Sequence, residues 1–151
     1  MTRGGAGQWF EVEPRRPCAP CTVLLVDDRD DIRRLLTMLL EDEPDFVVVA
    51  EAANGREAIE LAREHRPDLV VLDNDMPVMT GLEALPHIVE AIPAQVVLFS
   101  ADADHYRERA LALGAAAAIP KTTGVMSFVD QLRAVRGATD DCSEPSDSSR
   151  T

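Results

Sequence analysis

Short apolar runs alternate with longer amphipathic segments through the middle of the chain. A run that is apolar at nearly every position is typical of a strand covered on both faces of a parallel sheet, so five strands are predicted, at 22–26, 46–50, 68–72, 95–99 and 115–119. Apolar residues at helical spacing predict five helices, within 32–39, 58–62, 82–92, 106–113 and 125–135. These units predict an α/β fold, a doubly wound five-stranded parallel sheet in the strand order 2-1-3-4-5 with five helices.

Pro86 interrupts the third helical pattern. Inside a helix, proline removes a backbone donor and its ring crowds the preceding turn. We therefore expect this helix to start late, to bend or to fray in its first turn.

Both ends of the chain differ in composition from the middle. Residues 1–21 contain glycine and proline interruptions before any periodic apolar pattern, and they are predicted to be a flexible N-terminal extension. Residues 138–151 are rich in serine and aspartate and are predicted to be a disordered tail. Residues 22–137 are therefore predicted to be the folded domain, and no DNA-binding output domain is expected after it.

Composition argues against several classes of function. Fifteen basic and 27 acidic residues give a net charge of −12, which repels nucleic-acid phosphates, so no direct nucleic-acid partner is expected. No apolar run reaches the roughly 20 residues that cross a bilayer, and residues 1–8 lack the order of a secretory signal, so no membrane association is expected. Three cysteines, an odd number, fit a reducing compartment and predict a cytoplasmic protein.

Cys18 and Cys21 form a CxxC pattern directly before the first predicted strand. A redox CxxC normally opens a helix after a strand. A structural zinc site needs about four ligands, and Cys142 is the only other cysteine in the sequence. We therefore assign no chemistry to this pair.

Polar residues follow four of the five predicted strands. Asp27 and Asp28 follow the first, Asp73 the third, Ser100 the fourth and Lys121 the fifth. Ligands of doubly wound sheets bind beyond the carboxyl ends of the strands, and these four strands would be neighbours in the predicted order. The five side chains are therefore expected to meet at one edge of the sheet.

Three carboxylates at one place repel one another, by roughly 4 kcal/mol for each pair at ~4 Å and an effective dielectric of 20. A divalent cation removes that penalty, and oxygen ligands without histidine or cysteine suit Mg²⁺. A lysine and a serine hydroxyl can hold phosphoryl oxygens, and a carboxylate can be the nucleophile of phosphoryl transfer. Asp73, which stands alone after the third strand, is the best candidate for that nucleophile.

The segment from Thr22 to about Arg136 resembles the receiver domain of bacterial two-component response regulators. The resemblance rests on motifs at the predicted strand ends and just after them. These are Val26-Asp27-Asp28, Leu72-Asp73-Asn74-Asp75-Met76-Pro77, Gly81-Leu82-Glu83, Ser100-Ala101 and Lys121. Each motif alone is weak, but all of them in order and at these spacings are specific.

The resemblance implies a metal site and a phosphorylation site. Asp73 would accept a phosphoryl group from a histidine kinase or phosphotransfer protein. Asp28 and Asp73 would bind Mg²⁺ directly and Asp27 through water, with the backbone carbonyl of Asp75 as a further ligand.

The resemblance also implies how the phosphoryl group is held and read. Ser100 and Lys121 would bind its oxygens, and Ala101 would stay small so that they can approach. The hydroxyl would then remodel the surface formed by the fourth helix, fifth strand and fifth helix. That surface would contact a downstream protein effector, or a second copy in a homodimer.

One departure from the family pattern concerns the switch itself. Many receivers carry an aromatic residue three positions before the lysine, and this chain has Ala118 there. The predicted switch would therefore rely on the shift of the loop and helix, or on another aromatic residue such as Tyr106.

The leading hypothesis is a stand-alone phospho-acceptor switch that self-dephosphorylates but is not a turnover enzyme. A second is a phosphatase, because Asp73-Asn74-Asp75 matches the DxD of haloacid-dehalogenase-like enzymes, whose first acid is a nucleophile. Those enzymes place this strand near the N-terminus, and here it is the third. The last hypothesis is a binding module that keeps the fold and works without phosphorylation, which the alanine at position 118 favours.

Overall fold

The computed structural model describes residues 20–137 as strands and helices that alternate along the chain. The strands are β1 (Cys21–Val26), β2 (Phe46–Ala52), β3 (Leu69–Leu72), β4 (Gln95–Ser100) and β5 (Ala117–Pro120). The helices are α1 (Asp30–Glu41), α2 (Gly55–His65), α3 (Gly81–Ala91), α4 (Ala103–Ala112) and α5 (Val125–Gly137). Searched over this range, no helix combines the length and the apolar character that a membrane span needs.

The predicted extension and tail lie almost entirely outside the described residues. The exceptions are Pro20 and Cys21, and β1 already begins at Cys21, one residue before the predicted start of the domain. Cys21 is buried in this strand at 3% exposure, whereas Cys18 lies outside the described range.

All neighbouring strands pair in parallel, in the order β2-β1-β3-β4-β5. This order confirms the predicted 2-1-3-4-5 arrangement. In the register, Val26 lies opposite Leu72, and Leu72 lies opposite Leu98. The carboxyl ends of β1 and β3 are therefore level, so Asp27 and Asp73 emerge side by side, and β4 runs two residues further to Ser100.

Two layers of helices cover the sheet. One apolar cluster joins one face of the strands to α2, α3 and α4 through residues such as Ala62, Leu85 and Ala110. The other joins the opposite face to α1 and α5 through Leu40 and Leu132. All four residues of the central strand β3 are buried, which explains why its sequence has no polar alternation.

The expected late start or frayed first turn of α3 is wrong, because this helix begins at Gly81 and runs through Pro86. A capping box fastens its first turn: Glu83 N donates to Thr80 Oγ1 at 3.2 Å, and Thr80 N donates to Glu83 Oε1 at 2.9 Å. Leu85 and Ile88 on both sides of the proline are fully buried. The cap and this burial outweigh the lost backbone donor of Pro86.

Candidate functional site

Three carboxylates meet where β1 and β3 end. Oxygens of Asp27, Asp28 and Asp73 all lie within 4.8 Å of one another. Within residues 20–137, this is the group of acidic side chains whose ligand atoms lie close enough together to hold a metal ion. Asp27 and Asp73 are buried, with 1% and 3% of their surface exposed, whereas Asp28 is exposed. The level ends of the adjacent strands produce this convergence.

Lys121, directly after β5, reaches across to the acidic cluster. Its Nζ lies 2.7 Å from Asp27 Oδ2 and 3.3 Å from Asp73 Oδ1. Its backbone N donates to the Ser100 carbonyl at 3.0 Å, and its Nζ lies 6.0 Å from the centre of the Phe99 ring. The β4–β5 pairing and the aromatic ring thus direct the ammonium toward the carboxylates.

The acidic cluster and Lys121 perturb each other's protonation. Burial, followed by the charge of Asp27, raises the pKa of Asp73 from an ordinary 3.8 to about 6, and Lys121 opposes the shift. Burial alone lowers the pKa of Lys121. The hydrogen bond to Asp27 and the charge of Asp73 outweigh it, so the lysine pKa is raised overall. The site thus carries an ammonium at neutral pH.

The donor set fits Mg²⁺. Three carboxylates and one ammonium leave a formal net charge of −2 in a largely buried place. All the ligand atoms that the cluster offers are carboxylate oxygens, the hard donors that Mg²⁺ prefers. A bound dication would cancel the remaining charge.

The other predicted site residues lie at the end of β4 and in the segments that follow β3 and β4. Ser100 ends β4 with its side chain fully buried, and its Oγ accepts a hydrogen bond from Asp102 N at 3.2 Å. Ala101 follows it and is exposed. Asp75 lies two residues after Asp73 with its side chain exposed. The structure thus brings Asp27, Asp28, Asp73 and Lys121 together, while the roles of all these residues stay predictions.

Asn74 is a buried residue of the site whose structural role the sequence did not reveal. Its backbone N donates to Asp73 Oδ1 at 2.8 Å, and its Oδ1 accepts from Leu82 N at 2.9 Å. Its carbonyl accepts from Gly81 N at 3.1 Å. Asn74 therefore fastens the loop after β3 to the start of α3, and it orients the Asp73 carboxylate.

Two glycines permit close backbone contacts around this loop. A Cβ on Gly81 would lie 2.1 Å from the Asp73 carbonyl oxygen. A Cβ on Gly55 would lie 2.8 Å from the Met79 carbonyl oxygen, which accepts a hydrogen bond from Gly55 N at 3.0 Å. The glycines are visible in the sequence, but the backbone that each one faces is not.

The exposed end of the same loop is strained. Val78 has a φ of 68°, a region that β-branched residues rarely adopt. Met79 N donates to the Pro77 carbonyl at 2.7 Å, so the three residues form a tight γ-turn. Glycine or asparagine is the usual signal for such a backbone, and here neither is present.

Ala118, which stands where many receivers have an aromatic residue, is buried within β5. Its carbonyl accepts a hydrogen bond from Arg107 Nη2 of α4 at 2.8 Å. Arg107 thus links the fourth helix directly to the fifth strand, a contact that the sequence pattern did not indicate.

Comparison with known proteins places the chain in one family. The family model of the response regulator receiver domain matches residues 23–133. A protein-glutamate methylesterase/protein-glutamine glutaminase of Paramagnetospirillum magneticum is 46% identical over 121 residues, which are 76% of this chain and 34% of that protein. The chain therefore spans about a third of the length of this curated relative.

Two solved structures show the same architecture. CheY6 from R. sphaeroides, solved in complex with the P1 domain of CheA3, matches with a TM-score of 0.69 and 34% identity, covering 80% of this chain and 99% of that one. The CheX-CheY-BeF3-Mg+2 complex from Borrelia burgdorferi matches with a TM-score of 0.72 and 30% identity, covering 78% of this chain and 90% of that one. With the matched family model and the sheet order, these likenesses show that the chain belongs to the response regulator receiver domain family.

Proposed function

We propose that Asp73 accepts a phosphoryl group in an Mg²⁺-dependent reaction and that this modification switches a protein-binding surface. The observation that carries the proposal is the buried Asp73 carboxylate, which lies 3.3 Å from Lys121 Nζ and shares a cluster with two further aspartates. The proposed donor is a histidine kinase or phosphotransfer protein, a class supported by family membership and by the CheA3 complex of the related CheY6.

Four residues are proposed to hold the metal. Asp28 and Asp73 would bind Mg²⁺ directly, Asp27 through water, and Asp75 through its backbone carbonyl. The net negative charge of the cluster supports this set, as does Mg²⁺ in the related CheY complex. When bound, Mg²⁺ would neutralise charge shared by the carboxylates and the phosphoryl oxygens.

The transfer itself needs a carboxylate nucleophile and a way to spread charge. An Asp73 oxygen forms a bond to phosphorus while the P–N bond to the donor imidazole breaks, and the imidazole nitrogen keeps the electron pair and takes up a proton. Lys121 would neutralise a phosphoryl oxygen through its ammonium. Ser100 would donate its hydroxyl hydrogen, which is uncommitted in the bond to Asp102 N because Oγ accepts there. Ala101 leaves room for these contacts.

The proposed output surface is formed by α4, β5 and α5. Movement of the Ser100 hydroxyl toward the phosphoryl group would break its bond to Asp102 N, at the start of α4. Arg107 carries any displacement of α4 to the backbone of β5 at Ala118. A downstream protein effector, or a second copy of the chain, is proposed to bind the altered surface.

Intact-mass measurement after incubation with MgCl2 and a small acyl phosphate tests the proposal. We expect a gain of one phosphoryl group that is absent in Asp73→Asn and retained in Asp42→Asn, an exposed aspartate at the end of α1. Unchanged mass, under conditions that label another receiver domain, would contradict the proposal and favour a binding module that works without phosphorylation. Steady turnover of a phosphate monoester that requires Asp73 would instead support the phosphatase hypothesis.

A further inference from the structure

Arg33, on the first turns of α1, binds three different parts of the fold behind the acidic cluster. Its Nη1 donates to the main-chain carbonyl of Asp27, and its Nη2 pairs with the carboxylate of Asp30. Its Nε donates to Glu51 Oε1 on β2 at 3.1 Å. Only 14% of the Arg33 side chain is exposed, although its carboxylate partners Glu51 and Asp30 are 43% and 75% exposed.

The three acceptors of Arg33 lie at both ends of the loop that carries Asp27 and Asp28 and on the neighbouring strand β2. The Asp27 backbone is also tied to β2, because its N donates to the Ala52 carbonyl at 3.1 Å. Glu51, the next anchor along β2, is held from a second side by Thr37 Oγ1 at 3.5 Å. The guanidinium therefore fixes the main chain just where it turns from β1 into α1.

Asp28 depends on this support more than its neighbours do. The carboxylate of Asp27 is held at both oxygens, by Arg29 N at 2.9 Å and by Lys121 Nζ at 2.7 Å. Asp28 is exposed, and its carboxylate has no such anchor within the described part of the chain. Where its oxygens lie follows from the backbone between Asp27 and Asp30. Arg33 binds this segment at the main-chain carbonyl of Asp27 and at the side chain of Asp30.

We propose that Arg33 is a positioning residue for the cation site, which presets the loop so that the Asp28 carboxylate faces Asp73 before a metal arrives. This inference rests on the proposed function of the same site. A planar guanidinium donates to several acceptors in fixed directions, whereas a lysine ammonium is a single flexible point charge. Outer residues that orient metal ligands typically contribute about 10- to 100-fold to metal affinity.

Electrostatics and positioning predict opposite effects for the loss of Arg33. Removing a positive charge near the cluster makes the site more negative, and this alone tightens the binding of a dication. Loss of loop support instead weakens binding. Arg34, the next residue, provides a matched control because it is exposed and makes no hydrogen bond or ion pair among residues 20–137.

The test is calorimetric titration of the full chain with MgCl2 at pH 7.5 and constant ionic strength, below the unfolding temperature of every variant. Arg33→Lys keeps the charge and is expected to weaken Mg²⁺ binding about tenfold, while Arg34→Lys stays within about twofold of wild type. Arg33→Gln is expected to weaken it by roughly 10- to 100-fold, and Arg34→Gln to leave it unchanged or slightly tighter. Unfolding curves in EDTA separate these affinity changes from changes in stability.

The outcomes distinguish this inference from the proposed function. Equal affinities of Arg33→Lys and Arg34→Lys, with clear binding by the wild type, would overturn the positioning role and leave the proposed function standing. A wild-type chain that neither binds Mg²⁺ nor gains a phosphoryl group would overturn both. If Arg33→Lys does not fold, Glu51→Ala removes one of the three anchors instead, because alanine offers no acceptor to Arg33 Nε. It is expected to bind Mg²⁺ more weakly than Glu41→Ala, the same change at another exposed acid.

Discussion

Replacing Asp73 by asparagine is expected to stabilise the metal-free protein at neutral pH. The folded protein holds the Asp73 proton more tightly than the unfolded chain does, because burial and the charge of Asp27 raise this pKa from 3.8 to about 6. The contribution of Asp73 to stability is therefore greatest below pH 3.8 and is lost as the pH rises through about 6. About 2 pKa units correspond to roughly 3 kcal/mol, which the ionised carboxylate costs the fold at pH 7.5.

Urea unfolding of wild type and Asp73→Asn in EDTA, between pH 5 and pH 8, measures this cost. The variant is expected to gain up to about 3 kcal/mol at pH 7.5, and linkage predicts a gain of roughly half that size at pH 5. Exposed Asp42→Asn provides the control, with an expected change within about 0.5 kcal/mol. A variant no more stable than wild type at pH 7.5, or a gain that is constant across this range, would refute the reasoning.

The same reasoning applies to the metal. Mg²⁺ neutralises the carboxylates of the folded protein only, so saturating MgCl2 is expected to raise the unfolding midpoint of the wild type. Asp73→Asn, which has lost a proposed ligand and part of the repulsion, should respond much less. Equal responses of the two proteins would show that Mg²⁺ acts away from the acidic cluster.

Three further predictions follow from the surroundings of the cluster. Gly81→Ala, whose Cβ would clash with the Asp73 carbonyl at 2.1 Å, is expected to lower the free energy of unfolding by at least about 2 kcal/mol in urea and to slow phosphorylation. Val78→Asn, at a φ of 68°, is expected to relieve strain and stabilise the protein by about 1 kcal/mol in thermal unfolding. Lys121→Met is expected to destabilise the metal-free fold by about 3 kcal/mol, because Asp27 and Asp73 lose their shared cation. The same loss of positive charge is expected to tighten Mg²⁺ binding, measured by calorimetry.

The sheet order and the meeting of the acidic residues could be predicted from the sequence because both follow from general rules. Strands of a parallel sheet are covered on both faces, so their sequences are continuous apolar runs. Right-handed crossovers restrict the order of the strands, and the carboxyl ends of the strands meet at one edge of the sheet. Asp27, Asp73 and Lys121 needed no further information to be placed together. Their separation in the chain did not matter, since each is the residue directly after a strand.

The features that could not be predicted are contacts between segments that are distant in the chain. No pattern in either segment indicates which residue of the other it contacts. The partners of Arg33, which lies on α1, include Glu51, 18 positions away on β2, and a single main-chain carbonyl. The need for glycine at position 81 arises from the Asp73 backbone, which leaves no room there for a Cβ atom. The start of α3 is a different case, because Thr80 and Glu83 have capping-box spacing and signal a start that outweighs the local effect of Pro86.

Burial stabilises the fold at the apolar residues of the strands, but it destabilises the fold at the ionised carboxylates of the cluster. Apolar side chains of β3 such as Leu72 are buried at a gain of roughly 2 kcal/mol each, so their presence follows from folding alone. Ionised Asp73 instead costs the fold about 3 kcal/mol without metal, and a neutral residue of similar shape would remove that cost. The stability of the fold therefore does not explain why position 73, beside Asp27 and Asp28, carries a carboxylate. A cation that binds only the ionised carboxylate does explain it, and a pKa of about 6, although raised, still leaves Asp73 mainly ionised at neutral pH.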